Sequence, residues 1–376
     1  MNDQVVRIAT RVIAKASRTQ PADAVLRQML KAERGLPRSA GREVSATVFA
    51  YYRWRGWLAP ARPLADQFMH AWELKERFAQ RPGDFPEAEL RANCVPAWVT
   101  EHLEVSADWL RTLQTEPKLW LRARPGQGRS LGKKLGESWT AGAGPLADAV
   151  CYEGGEDLFR TPEFQAGEFE VQDICSQVVG LVCDPPPGET WWDACAGEGG
   201  KLLHLSDRMQ NKGLIWASDR AEWRLKRLKQ RTARARAFNY RAVLWDGGPK
   251  LPTKTKFDGA LVDAPCSGLG TWQRNPHARW TTTPNDVCEL AAVQRDLLAR
   301  VGTAIKPGGR LVYSVCTLTA EETSKVAGEF EEKFPEFKPC PVINPFKPNE
   351  TAGSQLRLWP QTTEGNGMFI AAWRRS

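Results

Sequence analysis

Two apolar runs of strand length, each stopping at a cysteine, constrain this chain more than any other feature. They are FDGALVDAPCSG (Phe257–Gly268) and GGRLVYSVCTLTAEE (Gly308–Glu322). Runs rich in Val, Leu and Tyr and bounded by Gly and Pro read as strands covered on both faces, the habit of a parallel sheet. In an open α/β sheet, ligands sit beyond the carboxyl ends of the strands. Cys266, after Asp263-Ala264-Pro265, and Cys316, after Ser314-Val315, therefore point into one crevice. Two thiols at two strand tips, with an aspartate beside one, suggest thiol-based enzyme chemistry.

The surrounding pattern fits such a sheet. From about Gly167 strands and helices alternate, which predicts a doubly wound α/β fold. Strand Glu189–Cys195 runs into a Gly-rich turn and a helix, and a second strand ends at Asp219 before a very basic helix. A third, near Tyr240–Trp245, stops at Asp246, and GNGMFIAAWRR (Gly365–Arg375) reads as the last strand. Before this region the chain reads differently. Val5, Ile8, Val12 and Ala16 form one stripe of an amphipathic helix. Further helices follow through Leu26 and Leu30, and from Gly41 with Val44, Val48, Phe49 and Tyr52 inward. Arg38, Arg42, Arg53, Arg55 and Arg62 interleave there with Tyr51, Tyr52, Trp54 and Trp57. That mixture suits either an RNA-gripping surface or an aromatic core with solvated arginines, and both readings stand. Gln80–Pro86 reads as a linker-like break. Leu119–Arg124 alternates as a strand and opens a small α+β segment, whose Arg122, Arg124, Arg129, Lys133 and Lys134 are expected to offer phosphates a positive face.

Composition narrows the class. A chain of 376 residues implies two or three domains. No apolar run approaches the roughly 18 residues of a membrane span, and the N-terminal stretch lacks the apolar core of a signal peptide. Nine cysteines without a Cys-x-x-Cys pair indicate neither a zinc ribbon nor a disulfide framework, and free thiols fit a reducing, cytoplasmic setting. A net charge of +8 points to a polyanionic partner. Of the sixteen tryptophans, most are expected in packing and a few are available to stack on bases.

The turn Cys195-Ala196-Gly197-Glu198-Gly199-Gly200-Lys201 lets a ligand approach the backbone at a helix start. It is not a dinucleotide fingerprint, because Leu202 holds the third glycine position, and this excludes a nicotinamide-dependent oxidoreductase. Nor is it a phosphate loop, which needs Gly at Cys195 and Ser or Thr at Leu202. An acid at Asp219 suits a ribose, and Asp246 suits an adenine amino group. With Asp263 they form three strand-tip acids without a phosphate cradle, which fits a nucleoside with a cationic tail: S-adenosylmethionine. For the cysteines, one reading is a small buried hydrophobe. The other is a thiolate, favoured by Lys201, that adds to C6 of a pyrimidine while Asp263 balances charge at N3. None of the four histidines lies near either cysteine in sequence, which weakens a Cys-His reading.

The blocks VQDICSQ (Val171–Gln177), DACAGEGGK (Asp193–Lys201), DAPCSGLGTWQRNP (Asp263–Pro276), IKPGGRLVYSVCTLTAEE (Ile305–Glu322) and RLWP (Arg357–Pro360) together resemble the RNA cytosine-5 methyltransferase family of NOL/NOP/Sun type, which includes bacterial small-subunit rRNA enzymes. The resemblance implies a Rossmann-like methyltransferase sheet over 167–376, preceded by an all-α NusB-like domain over 1–90 and a small RRM-like α+β domain over 91–166. It implies Cys316 as the nucleophile on C6, Cys266 in release of the covalent product, and Asp263 and Lys201 at the target base and the methionine end of the cofactor. Cys195, Ala196, Gly197, Glu198, Gly199, Gly200, Lys201, Asp219, Arg224, Asp246 and Asp263 are the implied S-adenosylmethionine site. No metal or membrane is implied, the expected partner is RNA, and a monomer is expected. The implied product is 5-methylcytosine in 16S rRNA, with transfer RNA, or a non-catalytic RNA-binding assembly factor, as alternatives. This sequence departs from the family pattern where Gly197-Glu198 replaces Ala-Pro and Leu202 replaces Thr. Further departures are His277 for Asp, Thr323 for Asn, and Gln361 and Asn366 in the last block.

Overall fold

The computed structural model describes residues 2–33, 35–142 and 144–376. They form two units: 1–117 with 268–286, and 118–267 with 287–376.

The first unit is helical. Asn2 caps the helix Asp3–Lys15 by accepting from the Gln4 N–H, and Val5, Ile8, Ala9 and Val12 are its buried stripe. The helices Ala22–Ala32, Arg38–Trp54 and Leu64–Gln80 each begin directly after a proline (Pro21, Pro37, Pro63), which sets φ for a helix start and gives up an N–H that would go unpaired there. The aromatics of the third helix are core: Tyr51, Tyr52 and Trp54 are buried, and so is Arg53, while Arg38, Arg42, Arg55 and Arg62 are exposed. The expected linker at Gln80–Pro86 is instead a packed turn. Phe85 is fully buried there, with ring centroids 5.5 Å from Trp54 and 5.2 Å from Phe78. Residues 268–286 join this unit although they lie between the two cysteine strands in sequence. Their anchor is Arg279, fully buried, whose guanidinium donates to the carbonyls of Cys94 and Leu113, each at 2.9 Å. The lines drawn at residues 90 and 166 thus stay a proposal about modules; the packed units divide elsewhere.

The second unit holds two sheets. β1 (Leu119–Ala123), β2 (Ser138–Thr140), β3 (Ala149–Tyr152) and β4 (Phe169–Val171) pair antiparallel in the order β2-β3-β1-β4. Helices Gly128–Leu135 and Pro162–Gln165 cross between β1 and β2 and between β3 and β4, a split βαβ arrangement. The expected phosphate face is largely spent. Arg122 and Arg124 both pair with Asp207, and Lys134 pairs with Glu168 at 2.7 Å. Glu170, 1 % exposed, draws in Arg124, Arg231 and Arg234. Once buried, each charge needs a partner, so these cations face acids rather than solvent.

The large sheet comprises β5 (Thr190–Asp193), β6 (Leu214–Asp219), β7 (Tyr240–Leu244), β8 (Phe257–Asp263), β9 (Ile305–Val315), β10 (Phe337–Pro339), β11 (Gln355–Leu358) and β12 (Met368–Arg375). Its order is β10-β12-β9-β8-β5-β6-β7, with β11 also on β12. Strands β7, β6, β5, β8 and β9 are parallel, and β12 is antiparallel to β9. Adjacent Trp191 and Trp192 on β5 show how both faces are filled, since successive side chains point to opposite sides. Trp191 lies over Gly259, where a Cβ would meet its ring at 2.3 Å. Trp192 packs on Trp245 and Phe257, and its indole N–H donates to Ser218 Oγ at 2.9 Å. The chain leaves β5 for β6 on one side and returns in β8 on the other, so a crevice opens between their carboxyl ends.

Candidate active site

That crevice is a cavity of about 880 Å³, walled by the tips of β5, β6 and β8 and by the segments that follow them. Every residue singled out from the sequence for the cofactor or the chemistry lines it, except Gly199. Gly199 begins the helix Gly200–Arg208 at φ +85°, and a Cβ there would lie 2.9 Å from Leu228 Cγ. Only glycine meets both conditions.

The turn after β5 is held from several directions. The Gly197 N–H donates to Asp219 Oδ2 at 3.0 Å, while Asp219 Oδ1 accepts from the Ala221 N–H. Gln172 Nε2 donates to the Gly200 carbonyl and Arg231 to the Glu198 carbonyl, both at 3.3 Å. Glu198, the departure from the family pattern, turns its carboxylate onto Arg227 at 3.2 Å. Its charge is thereby balanced from the helix Glu222–Arg234. Arg224 stands 3.8 Å from Asp219, and Asp246 accepts from the Gly248 N–H at 2.8 Å.

At the other end of the cavity the two thiols meet. Cys266 Sγ and Cys316 Sγ are 3.3 Å apart. Beside them Lys201 Nζ donates to Asp263 Oδ2 at 2.7 Å, and Ser314 Oγ donates to Asp263 Oδ1 at 2.7 Å. The hydrogen bond with Cys266 lowers the Cys316 pKa below its ordinary value; burial opposes this, as does Asp263, while Lys201 assists. Burial works against the Lys201 ammonium, yet Asp263 outweighs it by charge and hydrogen bond, so that pKa is raised. The site thus favours a thiolate at Cys316 next to a fixed ammonium–carboxylate pair.

Two carboxyls that sequence reasoning passed over belong to this site. Asp193, at the tip of β5 on the cavity wall, is fully buried, and no side chain among the described residues hydrogen-bonds to its carboxyl. Burial, with Asp263 and Asp219 nearby, pushes its pKa up to about 8. Glu322, also fully buried, ties the two cysteine loops together. Its Oε1 accepts from the Ser267 N–H at 2.8 Å and from Gln294 Nε2 at 3.0 Å. Its Oε2 accepts from the hydroxyls of Ser267, Thr317 and Thr319. Ser267 and Thr317 each directly follow one of the thiols. An acid at the end of a strand, two residues before a Gly-rich turn, and an acid six residues after a strand-tip cysteine were the available signals.

The family described as 16S rRNA methyltransferase RsmB/F matches residues 180–374, more than half of the chain. The chain belongs to that family. Among curated proteins it is similar to the probable ribosomal RNA small subunit methyltransferase B of Synechocystis sp., 35% identical over 58% of this chain and 50% of that protein. It is similar to the ribosomal RNA small subunit methyltransferase F of Aliivibrio fischeri almost equally, 34% identical over 58% of this chain and 48% of that one. The chain spans about half the length of the curated relatives it matches. In fold it is similar over 100% of its length to 99% of the protein PH0851, known from its crystal structure, with a TM-score of 0.80 at 23% identity. Among the described residues no helix is long and apolar enough to cross a membrane, and no group of three or more His, Cys, Asp or Glu is arranged to hold a metal ion.

Proposed function

We propose that this RsmB/F family member is an S-adenosylmethionine-dependent RNA methyltransferase that forms 5-methylcytosine, with small-subunit 16S rRNA as its substrate. The observation that carries this reading is the pair of thiols 3.3 Å apart at the cavity end where Lys201 and Asp263 meet. A single buried thiol is unremarkable packing; two at the tips of adjacent strands, one with a lowered pKa, call for a chemical use.

The cavity fits the cofactor. Asp219 and Asp246 stand along one wall with oxygen lone pairs left for ribose hydroxyls and an exocyclic amine, and the buried Asp193 carboxyl lies where a cationic amino acid tail would satisfy it. S-adenosylmethionine supplies an electrophilic methyl group there. Cys195–Lys201, Asp219, Arg224, Asp246 and Asp263 are the residues assigned to hold it.

Cytosine C5 is a poor nucleophile until C6 is saturated. The Cys316 thiolate adds to C6 and forms a C–S bond, which pushes electron density onto C5. As negative charge develops on the ring, N3 takes the proton shared by the Lys201–Asp263 pair, and Asp263, held also by Ser314, keeps the hydrogen bond to the N3–H. After C5 has gained the methyl group, its proton passes to a base in the cavity, the C5=C6 double bond re-forms, and the C6–S bond breaks to return the thiolate to Cys316. Cys266 is assigned to this release step. The target base must leave its stack to reach a cavity behind strand tips.

The non-catalytic alternative is motivated by the altered cofactor loop, in which Gly197-Glu198 and Leu202 depart from the family pattern and Glu198 adds a carboxylate. The pairing of Glu198 with Arg227 balances that carboxylate and weighs against this alternative. The test is calorimetric titration with S-adenosylhomocysteine, together with methyl transfer to small-subunit rRNA read by nucleoside mass spectrometry. Micromolar binding with 5-methylcytosine formed is the expected result, and absence of binding would refute the reading. A product formed only with transfer RNA would move the substrate and leave the chemistry.

A further inference from the structure

The charge of this chain is concentrated in one place. Residues 220–236 hold eight arginines and lysines against one glutamate, a net +7 of the whole chain's +8. Arg231 and Arg234 are spent on buried Glu170, but most of the others lie on the exposed face of the helix Glu222–Arg234. Some helical cations elsewhere are matched one turn away by acids, as Arg91 is by Glu87 and Arg300 by Asp296. Within this helix the matched pair among the described residues is Lys226 with Glu222, and Arg220, Lys229 and Arg236 form no ion pair.

An exposed ring lies among these cations. Trp223 is 54% exposed, with the guanidinium carbons of Arg224 and Arg227 at 5.4 and 5.5 Å from the ring centroid. Seven other tryptophans are fully buried, so this chain has no general surplus of indoles at its surface. Just past the C-terminal end of the helix, Phe238 is 74% exposed. The near end of the surface is continuous with the cavity, because Arg220 and Arg224 also line it.

We propose that the exposed surface of residues 220–236 is the docking surface for the substrate RNA, with phosphates on Arg220, Lys229 and Arg236 around the helix and at its two ends and an unpaired base stacked on Trp223. The proposal rests on the RNA reading above and adds where the RNA lies. Cations alone would serve any polyanion. An indole held open between two arginines favours a nucleic acid, because every base offers a face to stack on. None of Trp223, Lys229 and Arg236 touches the cofactor turn or the thiols, so their effect is separable from catalysis.

The test compares wild type, Trp223→Ala and the double variant Lys229→Glu/Arg236→Glu. Affinity for in vitro transcribed small-subunit rRNA is measured from 50 to 300 mM salt, and S-adenosylhomocysteine affinity and thermal midpoint are measured alongside. The double variant should bind RNA at least about tenfold more weakly at low salt, and its log–log salt slope should flatten by roughly 1.5, the share of two phosphate contacts. Trp223→Ala should weaken binding about tenfold with the slope unchanged, as stacking releases no counterions. S-adenosylhomocysteine affinity and the midpoint should stay at wild-type values in both. If both variants keep wild-type RNA affinity and slope while wild type methylates the rRNA, the surface is refuted and the function stands. If wild type shows no salt-dependent RNA binding, the RNA reading falls and takes the surface with it. Loss of binding to polyglutamate with RNA affinity intact would assign the face to an acidic protein and overturn the proposal.

Discussion

Removing the Glu322 carboxylate should cost more than its distance from the cavity suggests. In Glu322→Ala five donors lose their acceptor. Three are hydroxyls that can turn; Ser267 Oγ and Thr317 Oγ1 already lie 2.9 Å apart and can serve each other. The Ser267 N–H and Gln294 Nε2 cannot turn in the same way. A buried donor left unpaired costs about 1–3 kcal/mol, so the pair costs roughly 2–6 kcal/mol. For a unit of this size that is a fall of about 5–20 °C in Tm. Glu322→Gln behaves differently. Its amide oxygen can stay on the Ser267 N–H and Gln294 side, and its NH2 then faces three hydroxyls that can accept. That exchange should cost about 1–2 kcal/mol, the difference between charged and neutral hydrogen bonds. The assay is thermal and urea unfolding of both variants, paired with cross-linking of Cys266 to Cys316 by a short bis-alkylating reagent. Glu322→Ala should lose both stability and the cross-link, and Glu322→Gln should keep the cross-link. Equal melting of Glu322→Ala and wild type, or equal damage from both substitutions, would refute the bridging role.

Other outcomes follow from the same geometry. Gly199→Ala should abolish measurable S-adenosylhomocysteine binding, because φ +85° and Leu228 at 2.9 Å both resist a methyl group, whereas Gly197→Ala, which meets backbone strain at φ +55° but open space around its Cβ, should weaken it only several-fold; calorimetry decides. Asp193 carries a pH signature. Its pKa is raised from 3.8 to about 8, so between those values the folded state holds a proton that the unfolded state has lost, and stability falls as pH rises through that window. Asp193→Asn should flatten the decline in the thermal midpoint of the ligand-free protein between pH 4 and 8, and an unchanged decline would contradict the assignment. Cys266→Ala should move the pH profile of Cys316 alkylation to higher pH, because it removes the hydrogen bond that favours the thiolate. An unshifted profile would mean that Lys201 alone sets the reactivity.

The strands and their tips were legible because each apolar run ends at a residue with chemistry: Asp193, Asp219, Asp263 or a cysteine. Side chains at the carboxyl ends of parallel strands face one crevice whatever lies between them, and so Cys266 and Cys316, fifty residues apart, could be placed together. What the sequence hid was pairing at a distance. Arg122 and Arg124 look like a phosphate surface until Asp207 and Glu170 are seen against them. Arg279 lies in sequence between the two thiols, but its buried guanidinium is used by the carbonyls of Cys94 and Leu113, so residues 268–286 pack with the helices rather than the sheet. Gln80–Pro86 has linker composition, yet one phenylalanine in it fills an aromatic core. Asp193 carries no signal of its own within the strand Glu189–Cys195, because its importance lies in what surrounds it and not in any spacing.

The central claim is that Cys316 attacks the base and Cys266 releases it. Wild type, Cys266→Ala and Cys316→Ala are each incubated with S-adenosylmethionine and small-subunit rRNA and run on a denaturing gel. A stable protein–RNA band in Cys266→Ala alone is the predicted result. A band that persists in Cys316→Ala, or methyl transfer by that variant, would contradict it.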